Sequence, residues 1–528
     1  MSDTGGGHRA SAAALTAALS RHAGAAAVAA TTVDLFVDVA GWPLVGVGGV
    51  STHAAAVQRS AADIGGARAR PPASGPGGGG GWRGEGGGDG VPGGAVAPTG
   101  PPDVIVSVHP LAQSAAVTAL RMLAEAEAAG ASGGGGLVPT PPVPGLLRPL
   151  LTVVTDLGAA HPLWFTPAAT RVYSPSAAVS DVAVAEGVPA SRLRRYGLPV
   201  RQAFWELNGG AAGAKQDPTE GGTTPDPAEG GSKPDAASAT IASDPPSIGD
   251  AAGAKAALRC QLGLHPTAPA VLLVGGGDGV GGLRRVVPAV VDRLAETLGP
   301  TGAQVVVVCG RNERLRSSFA RRTWALTPAA VDSSRPLPRA AAEGQQERCH
   351  GSPDAAAVAT VDSGSGGGGD AAGGVIVLGF VSNMADYMRA ADMLITKAGP
   401  GTIAEALICR LPILLCAYLP GQETGNVTYV VDHGVGAYES APARIADTAA
   451  EWAASPSLRA AMAARAGALA APDAALRIAE DIWAVAVASR AARAGAAEVA
   501  GGGLPAATAA AARGWRRRRQ AATNGEYV

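Results

Sequence analysis

Two doubly wound α/β domains, each built on a parallel sheet, are the fold this sequence predicts, and three observations predict it. Apolar runs such as "AVLLV" and "QVVVV" do not alternate with polar residues, so both faces of those strands are buried, as in a parallel sheet covered by helices. Helical patterns separate the runs, as crossover connections require. Segments rich in Gly, Pro, Ala and Ser divide the chain, and they bury too little apolar surface to offset the entropy of ordering.

The chain opens on "MSDTGGGHRASAAAL", a glycine turn with His8 at its exit and then an alanine-rich run that reads as helix. Such a turn normally follows a buried strand that delivers it to the carboxyl edge of a sheet, where ligands collect. No strand-forming run precedes it here, so the chain is expected to begin inside a domain, with the first strand missing. Residues 65–101 read as a disordered insertion, and "DVIVSVHP", "LLTVVTDL" and "RVYSPS" as the strands that complete an N-terminal domain over 1–205. Residues 206–255 read as a low-complexity linker. A C-terminal domain over 256–488 follows, with strands in "APAVLLVGGGDG", "AQVVVVCGRN", "GVIVLGFV", "ADMLITKAG" and "LPILLCAYLP", a second insertion at 328–373, and a tail over 489–528.

Composition narrows the function. With Gly 75, Pro 40 and only 4% aromatics in 528 residues, much of the chain cannot contribute to a core. A net charge of −1 gives no field for nucleic acid, and the one basic block, "GWRRRRQ" at 514–520, reads as a solvated tail, with an anionic membrane as the alternative. Five cysteines without CxxC spacing argue against a zinc site or a disulfide framework, and fit a reducing compartment. No uncharged apolar run reaches the roughly 18 residues of a spanning helix, so the expected protein is soluble or lies on a membrane.

The loops at the strand ends carry the chemistry. "VLLVGGGDGVGG" contains a G-x-G-x-x-G, and the backbone of Gly275, Gly276, Gly277, Asp278 and Gly279 could hold a diphosphate at the following helix start. A dinucleotide site would also want an acid after the next strand. That strand ends instead in Cys309, Gly310, Arg311 and Asn312, which leaves an NADP-dependent oxidoreductase as the alternative reading. "TKAGPGTIAEALICRLPILLCAYLPGQETGN" is more specific. Lys397, Ala398, Gly399, Pro400 and Gly401 form a tight turn, Thr402 offers a hydroxyl at a helix start, and Glu405 lies one turn on, where a carboxylate can take two ribose hydroxyls. Gln422, Glu423 and Asn426 follow the next strand with groups suited to sugar hydroxyls. The alternative makes Thr402 and Glu405 helix caps and the later cluster surface polars.

These segments, together with "VTDLGAAHPLWF", "YGLPVR", "CGRNERL" and "GFVSNMADYM", resemble the plant and algal monogalactosyldiacylglycerol synthases across both sheets, and more distantly the bacterial N-acetylglucosaminyltransferases of peptidoglycan synthesis. The resemblance implies a GT-B glycosyltransferase of two Rossmann-like domains that moves galactose from UDP-galactose to diacylglycerol with inversion, on a plastid envelope membrane. It implies that Gly379, Phe380 and Val381 join the donor loops, that anionic lipids activate the enzyme with Arg201 of "YGLPVR" as a contact, and it is compatible with a homodimer. In the family the glycine turn follows a strand and, before that, a plastid transit peptide; neither is in this chain, which is therefore expected to be truncated at its start, with an inactive lipid-binding remnant as a further alternative.

Inverting transfer needs a base for the acceptor hydroxyl, and His8 is the leading candidate, with Asp3 and Asp156 as alternative or assisting carboxylates. In the competing role His8 would contact a phosphate beside Gly6 and Gly7, or cap its helix. His109 and His161 read as structural. No D-x-D triplet occurs, so no essential metal and no cofactor is expected; helix N-termini, with Lys397 or Arg311, would meet the leaving-group charge. For the lipid side, "AGWPL" with Trp42 and Pro43, and "HPLWF" with Trp164, place aromatic groups in loops suited to a membrane interface, with a core position as the other reading for either tryptophan.

Overall fold

The computed structural model describes residues 7–24, 28–30, 102–111, 113, 116–117, 120, 148–208, 248–275, 282–330 and 371–499. Outside them lie the 65–101 insertion, most of the 206–255 and 328–373 segments and the basic block. So do the site candidates Asp3, Gly6, Trp42, Pro43, Gly276, Gly277, Asp278 and Gly279.

The N-terminal domain begins with helix α1 (Gly7–Ala23), followed by strands β1 (Ile105–Ser107), β2 (Leu150–Val153) and β3 (Arg171–Ser174), helix α2 (Ala177–Ala185), strand β4 (Leu193–Arg195) and the short helix α3 (Gln202–Trp205). The four strands pair in chain order and all run parallel. All four residues of β2 are buried, as its continuous apolar run requires. β4 is the strand that apolarity alone does not reveal: "LRR" is short and partly charged because it closes the described edge of the sheet.

The C-terminal domain contains α4 (Ile248–Gln261), β5 (Ala270–Val274), α5 (Leu283–Leu298), β6 (Gln304–Val308), α6 (Glu313–Ala320), the two-residue strands β7 (Ala329–Ala330) and β8 (Ala371–Ala372), then β9 (Gly374–Leu378), α7 (Met384–Ala390), β10 (Met393–Lys397), α8 (Pro400–Ile408), β11 (Ile413–Ala417), α9 (Thr424–Asp432) and β12 (Gly436–Tyr438). Three helices follow: α10 (Pro442–Ala454), α11 (Pro456–Leu469) and α12 (Ala474–Val499). The six-stranded sheet runs β9-β6-β5-β10-β11-β12, entirely parallel. That is the strand order of a doubly wound dinucleotide-type domain, and it reverses direction between β5 and β10. Gly275 just past β5 and the Gly399–Thr402 turn after β10 therefore lie on either side of the switch point, where such sheets open a ligand crevice.

Helix placement follows from spacing. In α5 the buried residues Val286, Val287, Val290, Val291 and Leu294 lie on one face, and they pack with Ile445, Ala446, Ala449 and Ala450 of α10 over one side of the sheet. On the other side the core is shared between the two domains. Ala18 of α1, Leu157, Leu198, Val200, Phe204 and Trp205 join Leu394, Ile403, Ala406 and Leu415 in one apolar cluster.

The last helix returns to the first domain. Ile478 and Ile482 of α12 are buried with Leu15, Leu151, Val153 and Tyr173, the Tyr173 hydroxyl donates to Asp481 over 3.0 Å, and Arg171 lies 3.3 Å from the same carboxylate. The boundary expected at residue 488 thus falls inside a helix: apolar packing against the N-terminal sheet runs to Val485, and beyond it Arg493 pairs with Asp103 of the N-terminal domain. Ile478 is wholly buried, so Ile478→Ala is expected to cost about 2–5 kcal/mol of stability through lost transfer energy and the cavity left behind. A urea midpoint equal to that of the unmutated chain would show that α12 does not brace the N-terminal domain.

Candidate active site

The site forms where the carboxyl edges of the two sheets meet. His8 sits in the first turn of α1 and is buried. Its Nδ1 lies 2.8 Å from the carbonyl oxygen of Val108, just past β1, and 3.1 Å from Thr155 Oγ1, just past β2. A carbonyl only accepts, so Nδ1 carries the proton and Nε2 keeps its lone pair. Burial lowers the His8 pKa to about 4, although the bond to Val108 pulls the other way. At neutral pH the ring is an uncharged base in one tautomer.

Asp156 follows Thr155 and is also buried. Burial pushes its carboxyl up to about 6; the bond from Trp164 Nε1, 2.8 Å from Oδ2, opposes that shift and the charge of Glu423 across the cleft adds to it. Trp164 is a correction to the membrane-interface expectation: it is 0% exposed, because its ring is needed in the core with Val154, Val172 and Val179 and its N–H is spent on Asp156. The neighbouring Leu163, in the same 3-10 turn (Pro162–Trp164), is the apolar group that faces outward, at 41% exposure. His161 accepts from the Leu163 amide and caps that turn, while the His109 ring packs edge-on against His8 with centroids 4.5 Å apart.

On the C-terminal side, Gly399 precedes α8 with no side chain capping it, Pro400 takes the first helical position, and a Cβ on Gly401 would meet nothing within 4 Å. Among the described residues the first turn of α8 therefore offers backbone N–H groups without a hydrogen-bond partner, with Thr402 half-buried beside them. Ala398 is fully buried, its amide donating to Ala417. Lys397 pairs with Glu423, whose other oxygen accepts from the Leu419 amide at 2.9 Å. Gly275 ends β5 beside them, its amide donating to Val308. Phe380 projects from the loop after β9 at 70% exposure, with the Arg311 guanidinium 5.7 Å from its ring and Gly379 and Val381 as its neighbours. Asn312 serves as the cap of α6, accepting from the Leu315 amide.

Three contacts join the two edges. Arg201 reaches from the interdomain connection to Glu405, Nε to Oε1 and Nη2 to Oε2, both at 2.7 Å. Burial pushes the Glu405 carboxyl up, and the guanidinium pulls it back toward the ionised form. Arg201, expected as a lipid contact, thereby forms a bidentate pair with a buried carboxylate that has no other partner of opposite charge among the described residues. Asn426 is clamped at both ends, accepting from the Leu157 amide at 3.0 Å and donating to the Ala398 carbonyl at 3.0 Å, whereas Gln422 is exposed. Gly158 meets Gly425 so closely that a Cβ on the first would fall 1.7 Å from the carbonyl oxygen of the second.

Gly158, Gly425 and Thr155 are the site residues that sequence reasoning passed over. Gln113 is another, its Nε2 donating to Thr152 and to the Trp164 carbonyl while Oε1 is buried without a partner among the described residues. "TDLG" and "ETGN" carry the glycines, but only the fold shows that they touch.

Two parallel α/β domains that meet by their carboxyl edges, one of them with nucleotide-type strand order, define a GT-B glycosyltransferase architecture. Residues 144–200 match the family model for monogalactosyldiacylglycerol (MGDG) synthase, and residues 361–478 match the glycosyltransferase family 28 C-terminal domain. Similar curated proteins include monogalactosyldiacylglycerol synthase 1, chloroplastic, of Arabidopsis thaliana, 31% identical over 354 residues that cover 66% of this chain and 45% of that protein. A probable monogalactosyldiacylglycerol synthase 2, chloroplastic, of Oryza sativa subsp. indica is 32% identical over 66% of this chain and 52% of its own length. Among solved structures, that of MurG from Acinetobacter baumannii is 14% identical over 64% of this chain and 66% of its own, with a TM-score of 0.35, a likeness on which the assignment does not depend. The chain belongs to the monogalactosyldiacylglycerol synthase family, and it spans about half the length of the curated relatives it matches.

The raised Asp156 pKa makes a signed prediction. The folded state holds the proton up to about pH 6, whereas the unfolded carboxyl releases it near 3.8, so this group's contribution is full below 3.8 and is lost as pH rises through 6. Asp156→Asn keeps an acceptor for Trp164 and removes the charge. It is expected to stabilise the chain by up to about 3 kcal/mol at pH 8, with the gain vanishing toward pH 4. Thermal melts across that range check it, and a gain independent of pH would contradict the burial argument.

Proposed function

We propose that this chain is an inverting glycosyltransferase that moves galactose from UDP-galactose to 1,2-diacylglycerol. The observation that carries the proposal is a neutral histidine with its proton on Nδ1, held at one carboxyl edge where it meets, on the other, helix N–H groups that have no hydrogen-bond partner among the described residues. Membership of the synthase family supplies the substrates, and the chloroplastic relatives suggest a plastid envelope surface.

In this reading His8 Nε2 takes the proton of the acceptor hydroxyl while its oxygen attacks the anomeric carbon. The bond from that carbon to the UDP oxygen breaks on the opposite face, giving a β-galactoside. The first turn of α8, Lys397 and Arg311 meet the charge that develops on UDP, so the step requires no metal and no cofactor. Arg201 opposes the upward push that burial gives the Glu405 carboxyl and so favours its ionised form, which accepts ribose hydroxyls. Gln422 reaches the sugar from the exposed end of its loop, and Phe380 offers a free ring face for a base to stack on. The lipid enters from the N-terminal domain near Leu163. Among the described residues no helix is long and apolar enough to cross a membrane. Anionic lipids as activators, and a homodimer, belong to the same proposal.

The test is galactose transfer from UDP-galactose to diacylglycerol in vesicles, in EDTA, with the full chain and with His8→Ala. The expected result is metal-independent β-galactolipid formation and a kcat about 100- to 10,000-fold lower in the variant, with the UDP dissociation constant little changed. Near-normal turnover with weakened UDP binding would make His8 a donor ligand instead.

A further inference from the structure

We propose that the reverse edge of the C-terminal domain carries a second binding site, a pocket for a phosphate group, either free or borne on a lipid headgroup. A cavity of about 260 Å³ opens at the amino ends of β10 and β11, on the edge of the sheet opposite the cleft. Its volume corresponds to roughly eight or nine waters, enough for a hydrated oxyanion. Lys255 of α4, Asp392, Arg410 and Arg459 line it, with Pro412 and Pro456 between them.

The charges in this pocket do not balance. Asp392 is its one carboxylate, and it is already held by Lys255 at 2.8 Å and by the buried Arg259 at 2.6 Å. Arg410 and Arg459 add two further cations, so three lining cations surround one lining carboxylate that Arg259, outside the lining, also holds. Arg459 spends Nη1 on the carbonyls of Trp452 and Ala453 at the end of α10 and retains its other donors. Arg410 lies exposed against α11, where a Cβ on Gly467 would come within 3.0 Å of its Nε, and its guanidinium makes no hydrogen bond or ion pair among the described residues. Pro456 and Arg459 belong to the first turn of α11, whose macrodipole adds positive potential at the same place. Burial, followed by the neighbouring guanidiniums, pushes the Lys255 amine down, with Asp392 alone pulling it up. An arriving anion would complete the charge pairing, and its tetrahedral oxygens suit guanidinium donors. The cavity and its charges stand apart from the galactosyl-transfer reading and do not depend on it.

One variant removes a ligand group without threatening the fold. Arg410 has φ +54°, a left-handed conformation that glycine adopts more cheaply, so Arg410→Gly deletes the free guanidinium while relieving its backbone. Binding of inorganic phosphate to the full chain is measured by calorimetry with UDP present to fill the cleft, and with chloride at matched ionic strength as the control. The expected result is binding above the chloride control that weakens about tenfold in Arg410→Gly, the loss of one charge-assisted hydrogen bond, with an undiminished melting temperature. Flotation with phosphatidylcholine vesicles, with and without phosphatidate, separates the sources. Phosphatidate-dependent flotation lost in the variant assigns a lipid headgroup, and unchanged flotation beside weakened phosphate binding assigns a soluble phosphate. Phosphate binding equal in both proteins, or none above chloride together with no phosphatidate-dependent difference between them, overturns the proposal.

Discussion

No side chain fits between Gly158 and Gly425, and much of the site depends on that. The loop after β2 and the start of α9 touch backbone to backbone, which brings the carboxyl edge of one sheet against that of the other. At that separation the Leu157 amide reaches Asn426, Asp156 feels the charge of Glu423, and Arg201 reaches Glu405. A methyl group at either glycine would push the edges apart and loosen all three contacts together.

The Arg201–Glu405 pair is where electrostatics and closure meet. Glu405 has lost nearly all its water, with 7% of its side chain exposed, while Arg201 keeps 41% of its own. The pair is thus asymmetric: solvent screens the guanidinium and discounts its net contribution to stability, while on the buried side burial pushes the carboxyl up and the guanidinium opposes that push. A buried glutamate of one domain is in this way paired with an arginine of the connection to the other. His8 and Asp156 show the complementary effect without an ion pair, as burial lowers one pKa and raises the other, so each favours its neutral form.

How much of this is readable from residues alone varies with its physical origin. Strands buried on both faces announce themselves as unbroken apolar runs, so β2, β5, β6, β10 and β11 are legible; β4 and β12, short and at sheet edges, are not. The α8 turn is legible because glycine, proline and a following threonine mark a helix start wherever they fall. Trp164 shows the limit: a tryptophan in a loop motif suits a membrane interface or a core equally, and only the Asp156 carboxylate 2.8 Å from its N–H decides for the core. Arg201 and Glu405 stand 204 residues apart, and no local pattern pairs them.

Domain closure set by the two glycines is the central claim, and a distance measurement tests it most directly. Nitroxide labels replacing exposed Val184 of α2 and exposed Glu296 of α5, with the native cysteines removed, report the separation of the two domains by double electron–electron resonance. In Gly158→Ala the added Cβ cannot coexist with the Gly425 carbonyl, so the distribution is expected to shift to longer distances and to broaden relative to the unmutated chain. A distribution that superimposes on that of the unmutated chain would contradict the account.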